Sequence, residues 1–187
     1  MSTTTSPTLA ELTGTYTLDV AHSTIGFVAR HAMVTKVRGA FNEFDGGGYL
    51  DGNDVSKSHV KVTIQAASID TRNEQRDGHL RSNDFLDMEK YPTITFASTA
   101  VKQTGAETFQ VTGDLTIKDV TKPVTIDFEY QGAAKDPFGN HRIGFEGSVA
   151  INRKDWNVTW NAALETGGVL VSDKITLEFE ISAIKNA

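Results

Sequence analysis

Residues 174–181 read KITLEFEI. Ile175, Leu177, Phe179 and Ile181 alternate with Lys174, Thr176, Glu178 and Glu180. A period of two puts the apolar side chains on one face of a strand and the charged ones on the other. Upstream, Val124, Ile126, Phe128 and Tyr130 alternate with Thr125, Asp127 and Glu129. Ile143, Phe145, Gly147, Val149 and Ile151 share one face, as do Phe109, Val111, Gly113, Leu115 and Ile117. Ile94 and Phe96, then Val60, Val62, Ile64 and Ala66, follow the same rule. Nearer the N-terminus come Val37, Gly39 and Phe41, preceded by Ile25, Phe27, Ala29 and His31, and by Tyr16, Leu18 and Val20. The pattern predicts eight or nine half-solvated antiparallel strands. With so little helix to cover them, they must stack as two sheets or close on themselves, and closure removes exposed edges.

One stretch breaks the period. Residues 72–91 read RNEQRDGHLRSNDFLDMEKY. Thr71 and Glu74 have capping-box spacing, which predicts a helix from about 72 to 81. Asp84 is placed to cap a further short turn over 85–90, which Pro92 ends. Gly46, Gly47 and Gly48 read most simply as a turn between two strands. Residues 1–13 are rich in Thr and Ser and are expected to be a disordered lead-in to one domain spanning 14–187.

The chain has 187 residues and a formal net charge of −6, without a basic stretch, which argues against nucleic acid and against an anionic membrane surface. Zero cysteines exclude disulfides, thiolate metal sites and cysteine nucleophiles. No run approaches the length of a membrane-spanning helix. Residues 1–10, MSTTTSPTLA, lack the features of a secretory signal, so a cytoplasmic location is expected, or a periplasmic or secreted one if a leader has been trimmed. The same alternation describes an outer-membrane barrel. Four Tyr and two Trp are too few for two aromatic girdles, however, and Lys174 and Glu178 mark a solvated exterior. The apolar face is expected to point inward.

Gly39, Gly113 and Gly147 lie among large residues on that face. Their missing side chains leave either room for a ligand or bends where strands coil. An apolar tail would gain roughly 0.8 kcal/mol per buried methylene. Motifs for hydrolases, metalloproteases, P-loops or dinucleotides are lacking. His22, His31, His59, His79 and His141 have no metal-ligand spacing, so neither a metal nor a cofactor is expected. His79, Arg81, Asp84 and Asp87 form a polar cluster beside Leu80, Phe85 and Leu86. They are either the solvated side of a docked helix or the rim of a cavity facing a polar headgroup.

Several motifs, in order, resemble one family. Phe27-Val28-Ala29-Arg30-His31 with residues 37–41 (VRGAF) is similar to the opening motif of the YceI-like family. Residues 79–87 (HLRSNDFLD), with Tyr91-Pro92 and Phe96, resemble its central signature. Residues 113–117 (GDLTI), 121–124 (TKPV), 153–156 (RKDW) and 171–173 (VSD) resemble the remainder, so the likeness runs from about 15 to 183. It implies an elongated, antiparallel, lipocalin-like β-barrel of about eight strands, with one short helical insertion at about 72–90 and a long apolar tunnel. The implied ligand is a polyisoprenoid, such as a polyprenyl diphosphate or an isoprenoid quinone, or another long amphiphile; many members are dimeric. On this reading Phe27, Phe41, Phe85, Phe96, Phe109, Phe145 and Trp156 line the tunnel and Gly113 faces into it. His31, Arg38, His79 and Arg81 stand near a polar end. The protein would store, carry or sequester lipid and would not be an enzyme. The competing readings are an enzyme acting on a hydrophobic substrate and a filled barrel acting as an interaction module. Two departures stand out: Phe85-Leu86 replaces a Phe-Phe pair, and Asn157 replaces a glycine, which predicts positive φ there.

Overall fold

The computed structural model describes residues 7–186. Its strands are β1 (Gly14–Leu18), β2 (Thr24–His31), β3 (Thr35–Phe41), β4 (Phe44–Leu50), β5 (His59–Gln65), β6 (Ile69–Asp70), β7 (Thr93–Gln103), β8 (Thr108–Ile117), β9 (Val120–Lys135), β10 (His141–Asn152) and β11 (Lys174–Lys185). The helix α1 (Glu74–Arg81) follows β6. Hydrogen bonds run around a closed ring in the order β1-β4-β5-β7-β8-β9-β10-β11 and back to β1, every pairing antiparallel. The expected eight-stranded, lipocalin-like barrel is therefore what the chain forms.

Eleven strands make eight staves because two staves are broken and β6 lies outside the ring. Along one edge β11 pairs first with β2, Thr176 to Glu180 against Val28 to Thr24, and then with β1, Ala183 to Lys185 against Leu18 to Tyr16. The break between β1 and β2 is a single 3-10 turn, Val20–His22, capped by the Asp19 side chain accepting from Ala21 N. Similarly β3 and β4 form one stave interrupted at Asn42 and Glu43. Past that interruption β3 leaves the ring. It pairs with the two-residue β6 through Ala40↔Asp70 and Phe41↔Ile69, while β4 continues against β5. The segment 66–92, including α1, fills the wedge.

The barrel thus has two unlike ends. At the terminus end, near Gly14 and Lys185, the connections are short. At the excursion end, near His31 and Asn152, lie both long excursions, 66–92 and 153–173.

Four expectations are corrected here. Gly46, Gly47 and Gly48 are not a turn but the middle of β4. A Cβ at Gly46, Gly47 or Gly48 would collide with the backbone carbonyl of Lys61, Tyr16 or His59, so this stave lies too close to both neighbours for side chains. The cap of α1 is Asn73, whose side chain accepts from Arg76 N at 2.9 Å, rather than Thr71. Arg72 turns through φ +65°, and the buried Thr71 instead donates its N–H (2.9 Å) and hydroxyl (2.5 Å) to Asp77. Beyond α1 the chain runs in turns to Lys90, as expected, but Asp84 takes a hydrogen bond with His79 rather than capping them. Finally, the disorder expected over 1–13 does not hold for residues 10–12. Residues 1–6 lie outside the described residues, but Ala10–Leu12 form a 3-10 turn with Leu12 buried against Tyr16, Ile143 and Ala183. The Tyr16 hydroxyl donates to Leu12 O at 2.7 Å, and burial raises its pKa.

On the outer face at the terminus end, Arg142 joins the β1–β2 break to the β9–β10 hairpin. It pairs with Asp19, and its Nε donates to Asp136 at 2.7 Å. Hydrogen bonding to Arg142 holds the Asp19 carboxyl below its ordinary 3.8. Burial pushes Asp136 up, but Arg142 together with Asn140 and the Phe138 N–H outweighs this and lowers it to about 2. Folded-state values depressed in this way contribute stability above the unfolded carboxylate pKa, and that stability is lost as pH falls through the folded value. Scanning calorimetry should show the melting temperature dropping between pH 4 and 2, with a shallower drop in Arg142→Met.

Candidate functional site

The inward faces of all the staves meet around a cavity of about 360 Å³ that runs the length of the barrel. At the terminus end it is lined by Tyr16, Leu50, Val55 and Ile143, and at the excursion end by Leu80, Leu86, Val158 and Val171. Ile64, Ile94, Leu115, Ile126, Leu177 and Phe179 form its middle. The lining is almost wholly apolar. An eight-stranded barrel has an interior just wide enough to be filled by side chains or to hold one slender ligand. Here the second condition is met.

The reason is visible at three glycines. A Cβ at Gly113 would stand 2.5 Å from Phe96 Cζ, and one at Gly147 2.6 Å from Phe128 Cδ1. Gly39 is covered in the same manner by Phe27, its direct cross-strand partner. Each glycine seats a neighbouring aromatic ring flat against the wall. The glycines themselves open no space; they let large rings lie back and leave the axis clear. Gly113, expected to face the tunnel, is therefore hidden beneath Phe96. Gly147→Ala should lift the Phe128 ring into the bore, costing about 1–3 kcal/mol in urea denaturation and weakening uptake of an apolar dye.

Of the residues singled out from the sequence, Phe27, Phe41, Phe85, Phe96, Phe109 and Phe145 line the cavity. The structure places the polar ones elsewhere. Arg38 follows Val37 on the opposite face of β3, so it points outward and pairs with Glu178 at 3.2 Å. His31 lies past the rim, exposed, where it bridges to Val171. Arg81 ties α1 down by donating to Ala67 O at 2.8 Å and Ile69 O at 3.1 Å. His79 bonds to Asp84 at 2.8 Å and stacks edge-on against Phe85 and Trp160, with centroids at 5.0 and 4.7 Å. None of these four is brought to the lumen. Trp156 is buried behind it, its indole N–H donating to Leu115 O at 2.9 Å. Asn157 does adopt the expected positive φ, 61°, directly after that indole.

Two residues had no role assigned from the sequence. Trp160 joins the second excursion to α1 through His79 and Phe85. Arg153 lines the excursion end of the cavity and is 5% exposed. Its guanidinium donates to Val158 O (2.7 Å), Ser172 O (2.9 Å) and Val171 O (3.4 Å), and burial lowers its pKa. It is the latch of the second excursion. The RKDW motif contained it, but only its carbonyl partners, far along the chain, reveal what it does.

No helix among the described residues is long and apolar enough to cross a membrane. The architecture has solved counterparts. BcnA of Burkholderia cenocepacia is 26% identical, superimposes with a TM-score of 0.78 and is 98% covered, against 88% of this chain. The YCEI protein of Campylobacter jejuni is 31% identical at a TM-score of 0.73, covering 84% of this chain and 90% of its own. A polyisoprenoid binding domain from Saccharophagus degradans has the same fold, with a TM-score of 0.70 at 15% identity, 91% of this chain and 98% of its own being covered. In sequence, the UPF0312 protein of Photorhabdus laumondii is 45% identical over 148 residues, 78% of this chain and 77% of that one. A UPF0312 protein of Staphylococcus aureus is 40% identical over 169 residues, 90% of this chain and 95% of its own. The YceI-like domain matches residues 16–183, which takes in every stave of the ring and both excursions. The chain belongs to the YceI-like family.

Proposed function

We propose that the barrel binds one long-chain polyisoprenoid lipid in its lumen and serves in storage, transport or sequestration of that lipid. The observation that carries this reading is the cavity itself: continuous from Tyr16 to Val171, slender, and lined almost entirely by carbon. Such a bore favours a chain of methyl-branched methylenes, and the polar side chains in its lining, Ser58, His59 and Arg153, stand toward its ends. The polyisoprenoid binding domain of Saccharophagus degradans, which shares the fold, supports the ligand class. Because His31, Arg38, His79 and Arg81 lie off the lumen, the lipid's headgroup is held outside the bore, tail first.

Mass spectrometry of organic extracts of the purified protein, run against a mock purification, tests this. The expected result is a long-chain isoprenoid at near one per chain. An empty extract, followed by no binding of added long-chain polyprenol, overturns the reading.

A further inference from the structure

The β2–β3 hairpin ends in a turn whose chemistry is wrong for its position. His31 O accepts from Val34 N at 3.0 Å, and Ala32 and Met33 between them adopt φ values of 51° and 64°. This is a type I′ turn, which strongly prefers Asn-Gly because both central residues need positive φ. An exposed turn also favours polar side chains. Here it presents Met33 at 61% exposure and Val34 at 74%. The second excursion extends the patch. Ala32 N donates to Leu170 O at 2.7 Å, Met33 packs against Gly168, and Val169 is exposed beside them.

Immediately below this apolar tip the outer face carries cations. Arg30 and Lys36 are direct cross-strand partners, a like-charge pairing that destabilises a sheet. Ser172 exchanges hydrogen bonds with Arg30 on its other side, and Lys174 follows two residues on. The ion pairs among the described residues involve none of Arg30, Lys36 or Lys174. Further along the same wall the sign reverses: Glu129, Glu146 and Glu180 stand in one cross-strand row. A net charge of −6 therefore conceals a polarised molecule with a basic collar at one tip.

We infer that the Met33–Val34 tip docks on an anionic lipid bilayer, apolar side chains inserted and Arg30, Lys36 and Lys174 against the headgroups. An apolar tip above a cationic collar is the chemistry of interfacial binding, and the acidic waist orients the tip toward the surface. The site adjoins the cavity, since Ala29 and Val171 line the lumen and His31 bridges to Val171. Docking there would set the excursion end of the bore against the membrane; this purpose, though not the docking itself, rests on the lipid-binding reading.

Co-sedimentation with vesicles of phosphatidylcholine and phosphatidylglycerol tests the inference. The protein should pellet with these at low salt and remain in the supernatant with phosphatidylcholine alone. Met33→Asp/Val34→Asp should abolish binding, and each of Arg30→Ala and Lys36→Ala should weaken it roughly fivefold. Phe138→Ser, which removes an exposed aromatic (88%) at the opposite end, should change nothing. Melting temperature and lumenal lipid content should be unaltered in the tip variants, which separates lost docking from lost folding. Failure to pellet with mixed vesicles, or full binding by the double Asp variant, overturns the inference. A wild-type dimer that the double Asp variant converts to monomer, with vesicle binding unchanged, also overturns it and assigns the tip to a second copy of the chain. An empty lumen with vesicle binding intact would sink the lipid-binding reading alone.

Discussion

Leu177→Trp is expected to abolish lipid retention in a protein that still folds. Leu177 lies on β11 and is flanked in register by Phe27 and Val149 on the neighbouring staves. It faces the middle of the bore. An indole there divides the cavity in two. A lipid tail gains roughly 0.8 kcal/mol per buried methylene, so losing even a few methylenes of reach lowers affinity by about 100-fold or more. The overpacking cost of about 1–3 kcal/mol is tolerable against a domain stability of about 5–15 kcal/mol. Extraction followed by mass spectrometry should find no isoprenoid, while circular dichroism shows the β signal retained. Lipid recovered at the wild-type level would move the binding site out of the lumen.

Arg153→Met is expected to cause the largest loss of stability, about 2–4 kcal/mol. Methionine fills much of the same volume without donating hydrogen bonds. Val158 O and Ser172 O would lose their donor, while Val171 O would keep the Asn161 Nδ2 donor at 2.8 Å; these carbonyls anchor both ends of the second excursion. For a domain of this length the melting temperature should fall by about 4–16 °C. Hydrogen exchange should accelerate first within 157–173, ahead of the ring. Arg153→Lys should recover little, because an ammonium cannot reach three carbonyls in the fork geometry of a guanidinium. Unchanged exchange in 157–173 would show that Trp160 and Asn161 hold the excursion without the latch.

The staves were legible because an inward-facing strand must alternate, and KITLEFEI, VTIDFEY and their counterparts do so strictly. The lumen-lining phenylalanines of the strands share that periodicity, whereas Phe85, on the turn after α1, was implied only by the resemblance. What the periodicity could not show was where a strand passes the barrel rim. His31 continues the inward phase of Phe27 and Ala29 but stands beyond the wall. Gly46, Gly47 and Gly48 misled because glycine marks both turns and close backbone approach, and only the neighbouring carbonyls distinguish the two. Gly113 misled for a related reason: its empty side-chain space is occupied by Phe96 from the next stave. The polar residues of the central motif, His79 and Arg81, make local and mid-range bonds that fix α1. A cluster of polar residues carries no sign of whether it faces a ligand or its own backbone. Arg153 shows the reverse, a motif residue whose partners lie up to 19 positions away.

The closure of the ring through β1 and β11 has a consequence for how the chain is made. Tyr16 meets Lys185, so the seam joins the first strand of the ring to the last. Until β11 leaves the ribosome, β10 and β2 each present an open edge to whatever strand comes near. Such a long-range closure is slow, and its unfinished state is prone to aggregate. Two features blunt those edges while they wait. The break at Val20–His22 prevents β1 and β2 from offering one long template, and the row of carboxylates on β9 and β10 repels a second copy of itself. β11 is the strand that ends the exposure.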